Sequence, residues 1–371
     1  MIILRIEDIK SVCADILTAV DSNGISKITE TLEIVVDSGT MNMNVTNGDY
    51  YARVTLPVTE TNEKMHATVD AALFLKLISK TTTDTVQIDV NDNLLTLCAN
   101  GNYKIPLIYD GDELLKLPEI NIENETNSFD IESSVLKDIM IYNTKELQKG
   151  LIAKPVQKLY YIDEKGAITF TTGACVNDFS LPEPVKLLLN QKIVKLFKIF
   201  KDEAVKFTIG QDMFNNMTQT KVKFTSSNFE LTAVIPSDDS MVNSVPVDAI
   251  RDRAHTIYPY SVVINKSELL QTIERLLLFS SDSLKLYSKF EFGVDSVKIY
   301  DIQESNYEVI KYSNEAIDAL SDPYVAILDL IDLKLSLEGY NESHSTIRFG
   351  NNVAIVVYTK NIHTVIPEVN Q

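Results

Sequence analysis

The sequence predicts an α+β protein made of three repeats of one module, each running helix, strands, helix, strands. Two repeat signals and the size of the chain carry this reading. The dipeptide Ile-Pro closes a strand-like run at Ile105-Pro106, Ile235-Pro236 and Ile366-Pro367, at intervals of 130 and 131 residues. Before each comes an amphipathic stretch, LFLKLISK (73–80), KIVKLFKIFK (192–201) or LIDLKLSLEG (330–339), and then an alternating run, VQIDV (86–90), VKFTI (205–209) or STIRF (345–349). A chain of 371 residues with 45% apolar content is long enough for three globular domains. The period is too long for a solenoid unit, so each copy is expected to own a core.

The expected modules are 1–120, 127–245 and 257–371. Acidic, Pro-containing stretches near 110–127 and 237–256 are read as exposed linkers that few contacts cross. Each module opens on a helix. Ile9, Val12, Ile16, Leu17 and Val20 recur at helical spacing in the first, Val135, Leu136, Ile139 and Met140 in the second, and Leu269, Leu270, Ile273, Leu276 and Leu277 in the third. Asp8, Ser133-Ser134 and Ser267 stand near the three starts as N-cap signals.

Between the two helices lie alternating runs: LEIVV (32–36), MNMNV (41–45) and YARVTL (51–56), then LYYI (159–162) and AITF (167–170), then FEFGV (290–294) and SVKIY (296–300). Period-two alternation predicts antiparallel strands with one buried face. Asp37-Ser38-Gly39 and Glu164-Lys165-Gly166 supply turns.

Fifty-two acidic residues against 34 basic ones give a net charge of −18, which argues against a general electrostatic grip on nucleic acid. Distribution matters more than the sum. Lys10, Lys76, Lys80, Lys137 and Lys145 fall on or near the predicted helices, and QKIVKLFKIFK (191–201) carries Lys192, Lys195, Lys198 and Lys201 with no acid. That spacing sets the four lysines opposite Ile193, Val194, Phe197 and Phe200. Lys266, Arg275 and Lys334 follow in the third module, diluted by Asp329, Asp332 and Glu338. The plain reading is the solvated face of amphipathic helices; the sharper one is a basic surface turned toward a polyanion.

No catalytic chemistry can be written. His66, His255, His344 and His363 have no metal-ligand spacing in sequence, there is no Cys-x-x-Cys, and the twelve glycines include no Gly-x-Gly and no nucleophile elbow. Acidic pairs such as Asp238-Asp239 read as solvated loop residues. Cys13, Cys98 and Cys175 fit buried free thiols in a reducing compartment. No apolar run is long enough for a bilayer, and MIILRIEDIK is not expected to be a secretory signal. The expectation is a cytoplasmic protein that is not an enzyme, with no cofactor, no metal and no membrane partner.

The chain resembles the bacterial-type DNA polymerase III sliding clamp, the β subunit, over essentially its whole length. The residues that carry the resemblance are LEIVVDSGTMNMNVTNGDYYARVTLPV (32–58), ATVDAALFLKLISK (67–80) and VQIDVNDNLLTLCANGNYKIPLI (86–108), with INKSELLQTIERLLLFS (264–280) and STIRFGNNVAIVVYTKNIHTVIPEV (345–369) near the end. The resemblance implies a head-to-tail dimer, a six-module ring with helices inside and sheets outside. Duplex DNA would be held topologically, without sequence preference. The implied partners are the replicative DNA polymerase, a clamp loader and a second copy of the chain. The alternative from another class is a β-rich adaptor of the same modules that never encircles DNA.

Three sets of site residues follow from it. The DNA-facing set is Lys76, Lys80, Lys137, Lys192, Lys195, Lys198, Lys201, Lys266 and Arg275. The family's peptide pocket would fall on Thr171, Gly173, Ala174, Cys175, Val176, Pro246, Ile250, Ile366 and Pro367. Here Thr172, Ala174 and Cys175 replace the family's Asp, His and Arg, and Glu368 replaces a Met, which fits a divergent or phage-encoded member. Cys175 and Val176 also read as ordinary core. The implied dimer contacts are Tyr103, Leu278 and Phe279; a Leu-Leu-Leu-Phe run exposed at 276–279 on a monomer would otherwise be hard to explain.

Overall fold

The computed structural model describes residues 1–21, 26–58, 64–149, 153–201, 204–237, 239–280, 286–314, 320, 322–359 and 361–369. The first repeat of elements runs β1 (Ile2–Arg5), α1 (Ile6–Leu17), β2 (Thr31–Asp37), β3 (Thr40–Thr46), β4 (Tyr50–Pro57), β5 (Met65–Asp70), α2 (Ala71–Lys80), β6 (Thr85–Asn91), β7 (Leu94–Cys98) and β8 (Asn102–Pro106). A short hairpin of β9 (Tyr109–Asp110) and β10 (Glu113–Leu114) follows.

The second repeat begins with β11 (Glu125–Glu132) and α3 (Ser133–Asp138), which passes through a π turn (Ile139–Asn143) into α4 (Thr144–Leu147). Then come β12 (Leu159–Asp163), β13 (Gly166–Phe170), β14 (Ala174–Asp178), β15 (Lys186–Asn190), α5 (Gln191–Val194), a 3-10 turn (Lys195–Ile199), β16 (Ala204–Phe214), β17 (Met217–Thr225) and β18 (Phe229–Ile235). Helices α6 (Asp239–Asn243) and α7 (Val247–His255) lead to the third repeat: β19 (Tyr260–Asn265), α8 (Lys266–Leu277), β20 (Tyr287–Phe292), β21 (Ser296–Tyr300), β22 (Tyr307–Lys311), β23 (Tyr324–Asp329), α9 (Leu330–Leu337), β24 (His344–Phe349), β25 (Ala354–Thr359) and β26 (Ile362–Pro367).

Each repeat splits into two four-stranded antiparallel halves. In the first, β2 to β5 form one half, while β1 pairs with β6 and extends β6-β7-β8. The halves then join across repeats. β18 pairs with β4, Phe229 opposite Val54 and Ala233 opposite Tyr50, giving the eight-stranded order β11-β16-β17-β18-β4-β3-β2-β5. β14 pairs with β26, Ala174 opposite Val365, giving β15-β12-β13-β14-β26-β25-β24-β19. Two four-stranded sheets remain, β1-β6-β7-β8 and β22-β21-β20-β23.

By internal contacts the chain divides into two compact units, Met1–Ser133 with Lys195–Pro236, and Ser134–Val194 with Ser237–Gln371. In the first, α1 buries Ile6, Ile9, Val12, Cys13 and Ile16 along one stripe. Phe197, Phe200, Phe207, Phe224 and Phe229 form a connected aromatic core, with the Phe207 and Phe224 rings stacked 4.5 Å apart. Each such buried ring contributes about 1.5–3 kcal/mol. The β2–β3 hairpin closes through Ser38 and Gly39 at φ 51° and 78°, the positive pair a two-residue turn demands. In the second unit, Val262, Leu269, Phe290, Leu328, Phe349 and Ile355 centre the core around α8 and α9.

Several expectations need correction. Of the opening helices, α8 is capped by Asn265 and α1 starts without a side-chain cap, while Asp70 and Asp329 cap the second helices α2 and α9; the capping side chains accept from first-turn amides. Ser267 instead lies inside α8, and Asp8 lies inside α1, paired with Arg5. The run at 290–294 leaves the strand at Phe292. The stretch at 237–256 is not a bare linker: Val245 and Ala254 are buried, and α7 packs on β14 and β26 because Val247, Ile250 and Ala254 give it an apolar face. Asp238 lies outside the described residues; Asp239 is exposed at the start of α6. At 276–279 only Leu278 and Phe279 are exposed, at 81% and 54%, whereas Leu276 is buried and Leu277 partly so.

Candidate functional site

The basic residues divide by what they touch. Lys76 and Lys80 on α2, with Lys195 and Lys198 on the 3-10 turn, are exposed. No acidic partner meets these four among the described residues. Lys192 is also exposed, and the residues alternating with the lysines, Ile193, Val194, Leu196, Phe197, Ile199 and Phe200, are buried. Lys201 pairs with Asp15 at 3.2 Å. Arg275 lies against Glu308 in a two-pronged contact, at 2.7 and 2.5 Å, and this hydrogen bonding raises its pKa. Lys266 donates to the Tyr340 carbonyl, and Lys137 is half-buried. In the third repeat Lys334 pairs with Glu274 at 3.1 Å. Among these candidates, exposed positive charge without an acidic partner therefore lies on α2 and the 195–199 turn.

The pocket residues fall on the two faces of the sheet that β14 and β26 share. Ala174 and Val176 face an apolar cluster with Val365, Val356, Tyr161 and, from α7, Ile250. Cys175 and Ile366 point the other way, into the core around α8 and α9. Cys175 is fully enclosed there, and burial pushes its thiol up to about 12. Pro246 is exposed and borders a cleft of about 360 Å³ with Val242, Val247, Asp163 and Arg251. Arg251 anchors α7 by gripping Asp163 with both terminal nitrogens, at 2.7 and 2.5 Å.

Gly173 permits the close approach of β14 to β26, since a Cβ there would stand 2.3 Å from the Val365 carbonyl oxygen. Thr171 donates to Glu146 Oε1 at 2.7 Å, and Thr172 donates to Asp332 at 3.0 Å. Pro367 ends β26, and Glu368 accepts from the Tyr324 hydroxyl at 2.8 Å while burial raises its pKa. Sequence reasoning missed the Glu146–Lys149 pair beneath Thr171. Its spacing of three along a helical segment was the available signal.

Of the dimer candidates, Tyr103 is 37% exposed on β8, an end strand of its four-stranded sheet. β22 ends the other four-stranded sheet and exposes Tyr307 and Val309. The sequence reading did not select these two residues.

No protein-family model matches the chain, and no curated protein matches it in sequence. Solved structures do match its fold. The DNA polymerase sliding clamp from Bacillus subtilis is 16% identical with a TM-score of 0.75, covering 100% of this chain and 98% of that one. The DNA polymerase III β subunit from Pseudomonas aeruginosa bound to griselimycin is 12% identical with a TM-score of 0.79, over 100% and 99%. The β clamp from Helicobacter pylori in complex with 3,4-difluorobenzamide is 14% identical with a TM-score of 0.75, over 100% of both chains. End to end, the chain has the fold of the DNA polymerase III β subunit sliding clamps.

Proposed function

We propose that the chain is a sliding clamp, a non-enzymatic processivity factor built of modules 1–120, 127–245 and 257–371. Two copies would join head to tail around duplex DNA. One observation carries the reading. Twice within the chain, the closing strand of one repeat pairs with the third strand of the first half of the preceding repeat: β18 with β4, and β26 with β14. The same rule leaves β8, the closing strand of the first repeat, and β22, the corresponding third strand of the last, as end strands. A second copy that paired β22 with β8 would complete a third eight-stranded sheet, and two such junctions close a ring. Exposed Tyr103, Tyr307, Leu278 and Phe279 give that junction apolar anchors.

In this reading Lys76, Lys80, Lys195 and Lys198 form the core of a weakly basic lining, to which Lys137, Lys192, Lys201, Lys266 and Arg275 add. A topological tether needs only a modest attraction that leaves DNA free to slide. The partly exposed Val242, Val247 and Ile250, with Pro246 and Pro367, over buried Ala174 and Val176, offer the surface for peptides of polymerase and loader. The test is retention on DNA. Protein loaded on nicked circular DNA should co-elute with it in gel filtration and be lost when the circle is linearised. Equal retention on both forms, or on neither with monomers throughout, would favour the adaptor.

A further inference from the structure

The histidines that look scattered in sequence are not all scattered in space. His255, the last residue of α7, and His363, on β26, lie with ring centroids 4.6 Å apart. Both aim Nε2 at Asp178, at the end of β14: His255 at 3.3 Å from Oδ1, His363 at 3.2 Å from Oδ2. One donor atom from each of the three residues lies within 4.8 Å of the others. Metal–ligand bonds of about 2.0–2.1 Å in a tetrahedral array hold their donor atoms about 3.3–3.4 Å apart. Each imidazole Nε2 stands at about that edge length from a carboxylate oxygen, His255 from Oδ1 and His363 from Oδ2, so a small turn of the carboxylate brings one oxygen between the two rings.

The donor chemistry is selective. Two imidazole nitrogens and one carboxylate suit zinc, cobalt or nickel, whereas magnesium and calcium take oxygen ligands. The surroundings also fit. His363 is buried and its ring is stacked on Tyr358 at 5.2 Å; among the described residues the ring meets Asp178 through Nε2 and has no hydrogen-bond partner for Nδ1. The side chains of His255 and Asp178 are 43% and 30% exposed, leaving an entry path and room for water. The backbone amide of Asp178 donates to the Asn361 carbonyl, which fixes the end of β14.

We propose that Asp178, His255 and His363 form a three-ligand site for one divalent transition-metal ion of the zinc class, with water as the fourth ligand. The ion ties the C-terminal end of α7 to β14 and β26. Since α7 carries Ile250 over Ala174 and Val176, metal occupancy sets how firmly that apolar surface is walled. Each imidazole binds the ion through a deprotonated Nε2, so loading replaces the hydrogen bonds to Asp178 and releases any proton the site holds.

The experiment uses the full chain, free of any affinity tag, stripped with chelator and titrated with Co²⁺. The visible d–d bands should grow with the intensity of four-coordinate cobalt, saturate at one ion per chain and vanish on addition of Zn²⁺. His255→Ala, at an exposed position, and Asp178→Asn, which keeps the side-chain shape, should each weaken the titration at least tenfold while leaving the far-ultraviolet circular dichroism unchanged. Absence of the bands in the wild type overturns the site. So does an unaltered titration in both variants, which would place the cobalt on His66 or His344. The readout involves no DNA and no second copy, so it stands or falls apart from the clamp reading.

Discussion

Thr171 Oγ1 lies 2.7 Å from Glu146 Oε1, and the other oxygen of Glu146 lies 2.7 Å from Lys149 Nζ. Both charged side chains are essentially without solvent contact, and Lys149 also donates to Ser336 at 2.6 Å. A buried pair of this kind is costly to break and cheap to replace whole. Lys149→Met should destabilise the protein by about 3–5 kcal/mol, because Glu146 is left buried and unpaired. Adding Glu146→Gln should recover most of that loss. Urea unfolding of the two variants checks the order; equal losses would mean the pair is not coupled.

At the proposed ring junction, Leu278→Asp with Phe279→Asp places two charges where 81% and 54% of two apolar side chains meet solvent in the single chain. Sedimentation at micromolar concentration should show monomers with an unchanged fold. A persisting dimer would remove these residues from the interface.

Lys195→Glu with Lys198→Glu should shorten the lifetime on circular DNA by on the order of tenfold at low salt, and less at high salt. Arg275→Gln should shorten it less, because it removes one charge, already paired with Glu308, rather than reversing two unpaired ones. Single-molecule residence times separate the two, and a larger effect at Arg275 would contradict the charge assignment.

Acid should weaken the first compact unit through Asp212. The hydrogen bond from Lys221, with those from the amides of Asn124 and Glu123, holds its carboxyl at about 2, below the usual 3.8. A depressed folded-state value means the stabilisation is complete above the ordinary carboxylate range and is lost as pH falls from about 4 toward about 2. Asp212→Asn should lower stability at neutral pH and flatten that limb of the melting-temperature profile. An unchanged limb would assign the acid sensitivity elsewhere.

Much of the fold was legible because alternation and helical stripes are local. Strands such as Leu32–Val36 and Tyr51–Leu56 follow from side-chain period alone, and Ile-Pro ends β8 and β26 because proline removes the next ladder donor. The strand before the opening helix of each repeat was missed: β1, β11 and β19 pair with strands some 70 or more residues later, and nothing local marks that partner. The pairing of β18 with β4 is likewise a property of two edges, not of either segment. Exposure of the lysines at 192–201 was readable from spacing, but the capture of Arg275 by Glu308 depends on β22 lying beside α8. The gathering of His255 and His363 around Asp178 was beyond a search for ligand spacing, since three separate elements supply the donors.

The repeat in the sequence and the compact unit in space are out of step by half a period. Cutting the gene at a repeat boundary therefore cuts through a sheet. A fragment holding only the middle repeat would bare both β14 and β18 along their lengths, each losing a partner strand at once. Grafting, circular permutation or domain deletion in this chain should follow the seams near Ser133, Val194 and Pro236 instead, where the contact pattern, not the repeat, divides the molecule.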